Sequence, residues 1–151
     1  MDYFLKIDGI QGESQDAKHK GEIELVSFGW GVDVARGAGE GGGGGSGRPR
    51  FEPFHFTMLT NKASPQLFLS CVTGKHLKEA TLSVRRAGKQ ALEYLKIKFT
   101  EVFVSSLHEE AGPEAPTELI AFDFGRIEIE YSTQRGGTER AGWDVKKNVK
   151  I

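Results

Sequence analysis

The chain has 151 residues, of which 27% are charged, and its formal net charge at pH 7 is −1. This balance argues against nucleic-acid binding, which requires an excess or a stripe of basic residues. The one cysteine excludes an internal disulfide framework and a cysteine-based zinc site. No apolar run approaches the roughly 20 residues that span a membrane, and the N-terminus lacks the basic region of a signal peptide. We therefore expect one domain, residues 1–151, that is made in the cytoplasm and inserts into no membrane.

Outside one glycine-rich stretch, apolar residues recur with a period of two, which predicts β-strands. The predicted strands carry Tyr3 to Ile7, Ile23 to Val34, Phe51 to Met58, Leu77 to Val84, Leu95 to Val104, Ile120 to Tyr131, and Trp143 to Ile151. In the second, fifth and sixth strands the apolar set changes parity midway, and in the sixth it does so at Gly125. Such a change needs a bend or a β-bulge. Long bent strands favour a closed or nearly closed antiparallel β-barrel, although each run also fits two short strands.

Residues 37–50 are predicted to form a long, flexible, glycine-rich surface loop. Eight of the 20 glycines fall between Gly37 and Gly47, where no side chain can bury apolar surface. The stretch contains a Gly-x-Gly-x-x-Gly pattern after a predicted strand. A dinucleotide site also needs a helix to begin there, and more glycine follows instead. The stretch contains no Gly-Lys-Ser/Thr, so it is not a P-loop.

One short helix interrupts the strands. Ser64 as N-cap and Pro65 at the first helical position predict its start, and Gly74 predicts its end. Its apolar face is formed by Leu67, Phe68, Cys71 and Val72. A helix of this length is not stable alone, so we expect it to pack on the sheet, with Phe68 and Cys71 in the core. Cys71 is then a buried, inert thiol rather than a nucleophile.

No pattern in the chain indicates catalysis. The four histidines show no metal-ligand spacing, and no Gly-x-Ser-x-Gly elbow is present. Paired carboxylates such as Glu128 and Glu130 are spaced i, i+2, which is typical of a solvated strand face. We therefore predict that the protein is not an enzyme and has no cofactor and no metal site.

Several short segments carry a resemblance that covers nearly the whole chain. In chain order they are Phe4-Leu5-Lys6-Ile7, Gly12-Glu13-Ser14, Phe28-Gly29-Trp30-Gly31, Ser64-Pro65-x-Leu67-Phe68 with Cys71, Gly74-Lys75-His76, Ala80-Thr81-Leu82, Arg85-Arg86-Ala87-Gly88, Glu93-Tyr94-Leu95, Glu101-Val102 with Ser105-Ser106, and Phe124-x-x-Ile127 with Tyr131. In this order and spacing the chain resembles the haemolysin-coregulated proteins, Hcp, of bacterial type VI secretion.

The resemblance implies a β-barrel with one short helix and a structural role. Family members form hexameric rings that stack into the inner tube of a contractile machine. The implied partners are further copies of the chain, a valine-glycine-repeat spike protein, the contractile sheath and small effector proteins in the lumen. The resemblance also implies secretion from the bacterial cytoplasm without a signal peptide.

The resemblance and the strand alternation together place candidate functional residues. Alternation places Phe28 and Trp30 in the core and Ser27 and Gly29 on the opposite side, which would be the lumen wall. Family members often have a Trp-Ser-Trp-like stretch here, and because Gly29 offers no side chain, cargo specificity does not carry over. The predicted ring-stacking residues are Gly37, Gly39, Glu40, Gly43, Gly45, Arg48 and Arg50.

A second interpretation remains open from the sequence. A monomeric β-barrel could bind a small ligand or a carbohydrate, with Trp30 or Trp143 as the stacking platform. A six-fold assembly would separate this interpretation from the tube subunit.

Overall fold

The computed structural model describes residues 1–36, 46–87 and 92–151, and these ranges contain eleven strands and one helix. The elements are β1 (Asp2–Ile7), β2 (Ile23–Glu24), β3 (Ser27–Gly29), β4 (Val32–Arg36), β5 (Ser46–Phe51), β6 (Phe54–Leu59), α1 (Ser64–Thr73), β7 (Leu77–Arg85), β8 (Glu93–Glu110), β9 (Thr117–Ser132), β10 (Thr138–Asp144) and β11 (Val149–Lys150). Every strand pairing is antiparallel. The predicted class, mainly antiparallel β with one short helix, is confirmed.

Nine strands form one strongly curled sheet, but strand pairing does not close it. The order runs β11-β10-β9-β8-β7-β1-β2, and from β9 a branch continues through β6 to β3. The ends β2 and β3 are consecutive pieces of one segment: the Leu25 N–H donates to the Tyr3 carbonyl oxygen, and the Val26 N–H donates to that of Thr57. The segment thus changes neighbour between Leu25 and Val26. The predicted barrel is corrected to an open, curled sheet.

The curled sheet has two walls that share one core. One wall is built from β3, β6, the first half of β9 and the second half of β8, and the other from β1, β7, the first half of β8, the second half of β9, and β10. Phe54 and Phe122 from the first wall meet Phe99 from the second, with ring centroids 4.8 to 5.2 Å apart. All three rings are fully buried. Because the inner faces pack on each other, the outer faces of the two walls point away from each other.

The long strands β8 and β9 bend where the sheet passes from one wall to the other. Phe99 and Val102 are both fully buried although they lie three residues apart. Glu101 between them has φ +56°, a left-handed conformation that turns the strand. Its carboxylate lies over Gly125 on β9, where an ideal Cβ would stand 2.6 Å from Oε2. The bends lie where the sequence pattern changes parity, and the backbone of Glu101 makes the turn in β8.

The predicted loop 37–50 is partly a strand. Residues 46–50 belong to β5, which pairs with β4 in a separate two-stranded sheet. The Arg48 guanidinium donates to the carbonyl oxygens of Val145 and Lys146, both at 2.9 Å, and so ties this hairpin to the turn after β10. Residues 37–45 lie outside the described residues.

The N-cap of the helix lies one residue before the predicted one. Ala63 is the N-cap and Ser64 is the first helical residue, so the prediction of Ser64 as N-cap is wrong. The Ser64 hydroxyl instead accepts from the Asn61 N–H at 3.0 Å and donates to the buried carboxylate of Glu118. At the other end Gly74 has φ +65° and its N–H donates to the Cys71 carbonyl, as the sequence predicted.

The prediction of Phe68 as a core residue is also wrong, because its side chain is 55% exposed. The buried face of α1 consists of Ser64, Leu67 and Ser70. This face packs on the sheet through the fully buried Leu67 and through the contact between Ser64 and Glu118. The larger apolar side chains, Phe68 and Val72, consequently point outward.

Candidate functional site

The strand that carries Ser27 and Gly29 belongs to a part of the sheet whose outer side has two adjoining rows without charged residues, between Glu110 on one side and Asp123 on the other. Two rows of directly opposed residues cross β3, β6, β9 and β8 on the outer side of the first wall. We call this surface the neutral face; its residues are Ser27, Thr57, Leu119 and His108 in one row, and Gly29, His55, Ala121 and Ser106 in the next. None of the eight is Lys, Arg, Asp or Glu.

Hydroxyl groups and an imidazole occupy the centre of the neutral face. The Ser27 and Thr57 hydroxyl oxygens are 2.6 Å apart, within hydrogen-bond distance across the strand pair. The imidazole of His55 covers Gly29, where an ideal Cβ would stand 2.6 Å from Nε2 and 2.9 Å from Cε1. The space above Gly29 is therefore filled by the neighbouring strand. The side chain at this point of the face is that of His55.

The outer side of the second wall differs in kind. Two rows cross β1, β7, β8, β9 and β10. We call this surface the charged face; its residues are Lys6, Thr81, Lys98, Glu128 and Gly142 in one row, and Phe4, Ser83, Lys96, Glu130 and Arg140 in the next. Six of these ten are charged. Arg140 Nε lies 2.9 Å from Glu130 Oε2, and Lys98 Nζ lies 3.5 Å from Glu79 Oε2.

An ionic cluster holds residues 11–22 against the edge of the charged face. The Arg85 guanidinium donates two hydrogen bonds to Asp16, at 2.7 and 2.9 Å, and also contacts Asp2. The bonds to Arg85 lower the pKa of Asp16 from 3.8 to about 2, and the bonds to Asp16 and Asp2 raise the pKa of Arg85. The buried ring of His19 lies between Glu22 and Glu93 and stacks on Phe4.

The other predicted site residues are spread over the molecule. Phe28, Trp30 and Cys71 are half-buried and pack against the core. Arg48 and Arg50 lie on β5, away from the neutral face, and Arg48 is held within its own chain. Gly37, Gly39, Glu40, Gly43 and Gly45 lie outside the described ranges. Their stacking role stays a prediction.

Two features of the site were missed from the sequence. His55 alternates with the apolar residues Phe54 and Phe56, so its outward direction was readable, but its position beside Gly29 depends on the pairing of β3 with β6. The second feature is an exposed apolar surface on α1. Phe68, Leu69 and Val72 are all at least half exposed, and the helix contains no charged residue. We call these three residues the helix patch.

The described ranges contain no group of three or more His, Cys, Asp or Glu side chains that could hold a metal ion. Within the same ranges, no helix is long and apolar enough to cross a membrane.

Comparison with known proteins shows similarity along the chain. The family model described as "Type VI secretion system effector, Hcp" matches residues 4–131. Protein hcp1 of Pseudomonas aeruginosa is 35% identical, over 99% of this chain and 98% of that protein. The crystal structure of Hcp1 from Salmonella typhimurium has a TM-score of 0.87 and 38% identity, covering 99% of this chain and 98% of that one. A type VI secretion system effector from Yersinia pestis has a TM-score of 0.81 and 37% identity, covering 95% of this chain and 100% of that one.

Proposed function

Because the chain belongs to the Hcp family of type VI secretion proteins, we propose that it forms hexameric rings that stack into the inner tube, and that these rings carry small effectors in the lumen. Membership makes the chain a tube protein of type VI secretion, from a structural rather than an enzymatic family. The observation that carries the proposal is the family match over residues 4–131. The finer statements below rest on the surfaces of the chain.

The helix patch supports assembly into rings. Exposed apolar clusters on a soluble protein mark interaction sites, and Phe68, Leu69 and Val72 form such a cluster on one uncharged helix. A closed ring needs two different patches on each subunit, one for each neighbour. We assign the helix patch to one of the two.

The contrast between the two outer faces supports an orientation within the ring. If the neutral face lines the lumen, the charged face on the opposite wall points to the surroundings of the tube, where the sheath lies. The two uncharged rows offer no ion pair that would retain a protein passing over them. Because of this lack of charge we assign Ser27 and Gly29 to the lumen wall. His55, which lies opposite Gly29, would then lie there too.

Ring stacking is assigned to the hairpin of β4 and β5 and to residues 37–45. Stacking is a heterologous contact that does not close, so it produces a tube of open length. Arg50 is exposed on β5 and is available to such a contact, whereas Arg48 is bonded to its own chain. The spike protein and the sheath are the further proposed partners. The proposed route leads from the bacterial cytoplasm to the outside or a target cell.

The alternative, a monomeric module for a small ligand or carbohydrate, has less support. A stacking platform needs an open indole face. Trp30 and Trp143 are both half-buried and pack against the core.

The test is the mass of the purified protein by light scattering after size exclusion. We expect six chains for the wild type and a smaller species for Phe68→Glu, because a carboxylate in the helix patch would have to be buried without a partner. Val149→Glu is the matched control, since Val149 is also an exposed apolar residue, 47% accessible, but lies on the edge strand β11. A wild-type monomer at high concentration would overturn the ring.

A further inference from the structure

We propose that His55 is the specificity-determining residue of the neutral face, and that this face selects uncharged, polar segments of cargo proteins. The inference rests on the proposed function, since it assumes that the neutral face lines the lumen. It goes further in naming the side chain that contacts cargo and the chemistry it selects.

The position of the imidazole follows from the small residues beside it. His55 on β6 lies directly opposite Gly29 on β3 and Ala121 on β9. With no Cβ at Gly29, the ring leans over that strand and brings Nε2 to within 2.6 Å of where the Cβ would stand. Any other residue at position 29 must displace the imidazole. The missing side chain of Gly29 therefore leaves the space that the His55 ring occupies.

The chemistry of the face favours a neutral partner. Burying a charged side chain is costly unless an opposite charge or several hydrogen bonds compensate for the lost water. The neutral face has no Lys, Arg, Asp or Glu among its eight residues, and the nearest charges in the adjoining rows are the acidic Glu110 and Asp123. Beside His55, the hydroxyls of Ser27 and Thr57 already lie within hydrogen-bond distance of each other.

His55 supplies the directional contact that the rest of the face lacks. A neutral imidazole has one N–H donor and one acceptor nitrogen, so it can pair with an amide or a hydroxyl group. The ring is exposed, and its neighbours across both strand pairs are the two smallest residues. A segment of serine, threonine, asparagine or glutamine can therefore reach the imidazole edge.

The test measures binding of three fluorescein-labelled twelve-residue peptides to the purified ring by fluorescence anisotropy. The peptides alternate serine with glutamine, with glutamate or with lysine. We expect the wild type to bind the serine-glutamine peptide at least fivefold more tightly than the other two. His55→Gln keeps an amide donor and acceptor and should stay within twofold of the wild type. His55→Phe keeps the ring size without these groups and should lose the preference.

Two further variants separate the residue from its surroundings. Gly29→Ala displaces the imidazole and should lose the preference although His55 is retained. His108→Gln, at the other imidazole of the face, should behave as the wild type. The inference is overturned if His55→Phe or Gly29→Ala binds like the wild type, if a charged peptide binds as well as the neutral one, or if none binds. The mass of each ring by light scattering is recorded first, so that failure of the ring itself is seen separately.

Discussion

The two walls of the sheet bury similar residues and expose very different ones. Inward, both contribute large apolar side chains to the same core, such as Phe54 and Phe122 from one and Leu82 and Phe99 from the other. Outward, the charged face carries six charged residues in two rows, whereas the neutral face carries none in two rows. Core packing therefore requires an apolar residue at every second position of a strand. The outward positions are free of this requirement, so their residues reflect the surroundings of each face. The absence of charge on the neutral face is not required by the fold.

The largest expected effect tests whether the two walls unfold as one unit. Phe122 is fully buried and contacts Phe54 and Phe99 from both walls. Phe122→Ala should therefore lower the free energy of unfolding by about 3–5 kcal/mol, through lost burial and the cavity left behind. Urea unfolding followed by fluorescence measures this loss.

Trp30 and Trp143 serve as separate reporters in this experiment. Trp143 lies on β10 of the second wall, and Trp30 follows β3 of the first. Trp143→Phe and Trp30→Phe each leave one tryptophan as the reporter. When either is combined with Phe122→Ala, both reporters should show the same lowered urea midpoint. Two different midpoints would mean that the walls unfold independently. The exposed Val32→Ala is the control, with little expected change.

The bend between the walls is the next target. Glu101 adopts φ +56°, which is costly for a β-branched residue and free for glycine. Glu101→Val should lower the free energy of unfolding by about 1–2 kcal/mol relative to Glu101→Gly. Both variants lose the contact between the Glu101 carboxylate and Lys146 Nζ at 2.7 Å, so this ion pair does not contribute to the difference. Equal stability of the two would contradict the assigned role of Glu101 in the turn.

Part of this architecture could be predicted from the sequence, and the limits have physical causes. Alternation identified the inward residues of the long strands, because burial imposes a period of two on any strand. It also located the bends in β8 and β9. Alternation does not reveal which strands pair. The contact of His55 with Gly29 and the change of strand partner between Leu25 and Val26 could therefore not be derived. The sequence predicts Phe68 in the core because the residues of an apolar stripe on a helix usually face the core. Here the helix instead turns Ser64, Leu67 and Ser70 to the sheet, and Ser64 donates to the buried Glu118 carboxylate.

A matched pair of substitutions sharpens the contrast between the faces. Thr57 and Thr81 are both half-buried threonines in the middle of a strand, one on each face. Thr57→Glu loses the contact with the Ser27 hydroxyl and places a charge on the neutral face, which should cost about 1 kcal/mol. Thr81→Glu lies opposite Lys6 and Lys98 and should be neutral or stabilising by about 0.5 kcal/mol. Thermal unfolding measures both, and a loss for Thr81→Glu that equals the loss for Thr57→Glu would remove the distinction between the faces.

The smallest expected effect is a pH dependence at the edge of the charged face. Arg85 holds the pKa of Asp16 at about 2, below its ordinary 3.8. A carboxyl group with a lowered pKa in the folded state stabilises that state above its unfolded pKa and loses this contribution as it becomes protonated. The contribution of Asp16 should therefore be complete above pH 4 and disappear between about pH 4 and pH 2.

Hydrogen exchange of the backbone amides of residues 11–22 measures this loss locally. Exchange in the wild type should accelerate as the pH falls through this window, beyond its intrinsic pH dependence, because the segment loses its bidentate contact with Arg85. Asp16→Asn cannot form the ion pair and should show faster exchange already at pH 5, with little further change. Amides on β3 and β6 of the opposite wall are the internal control. If they accelerate equally with residues 11–22 in the wild type, the acid effect is global and does not arise from this ion pair.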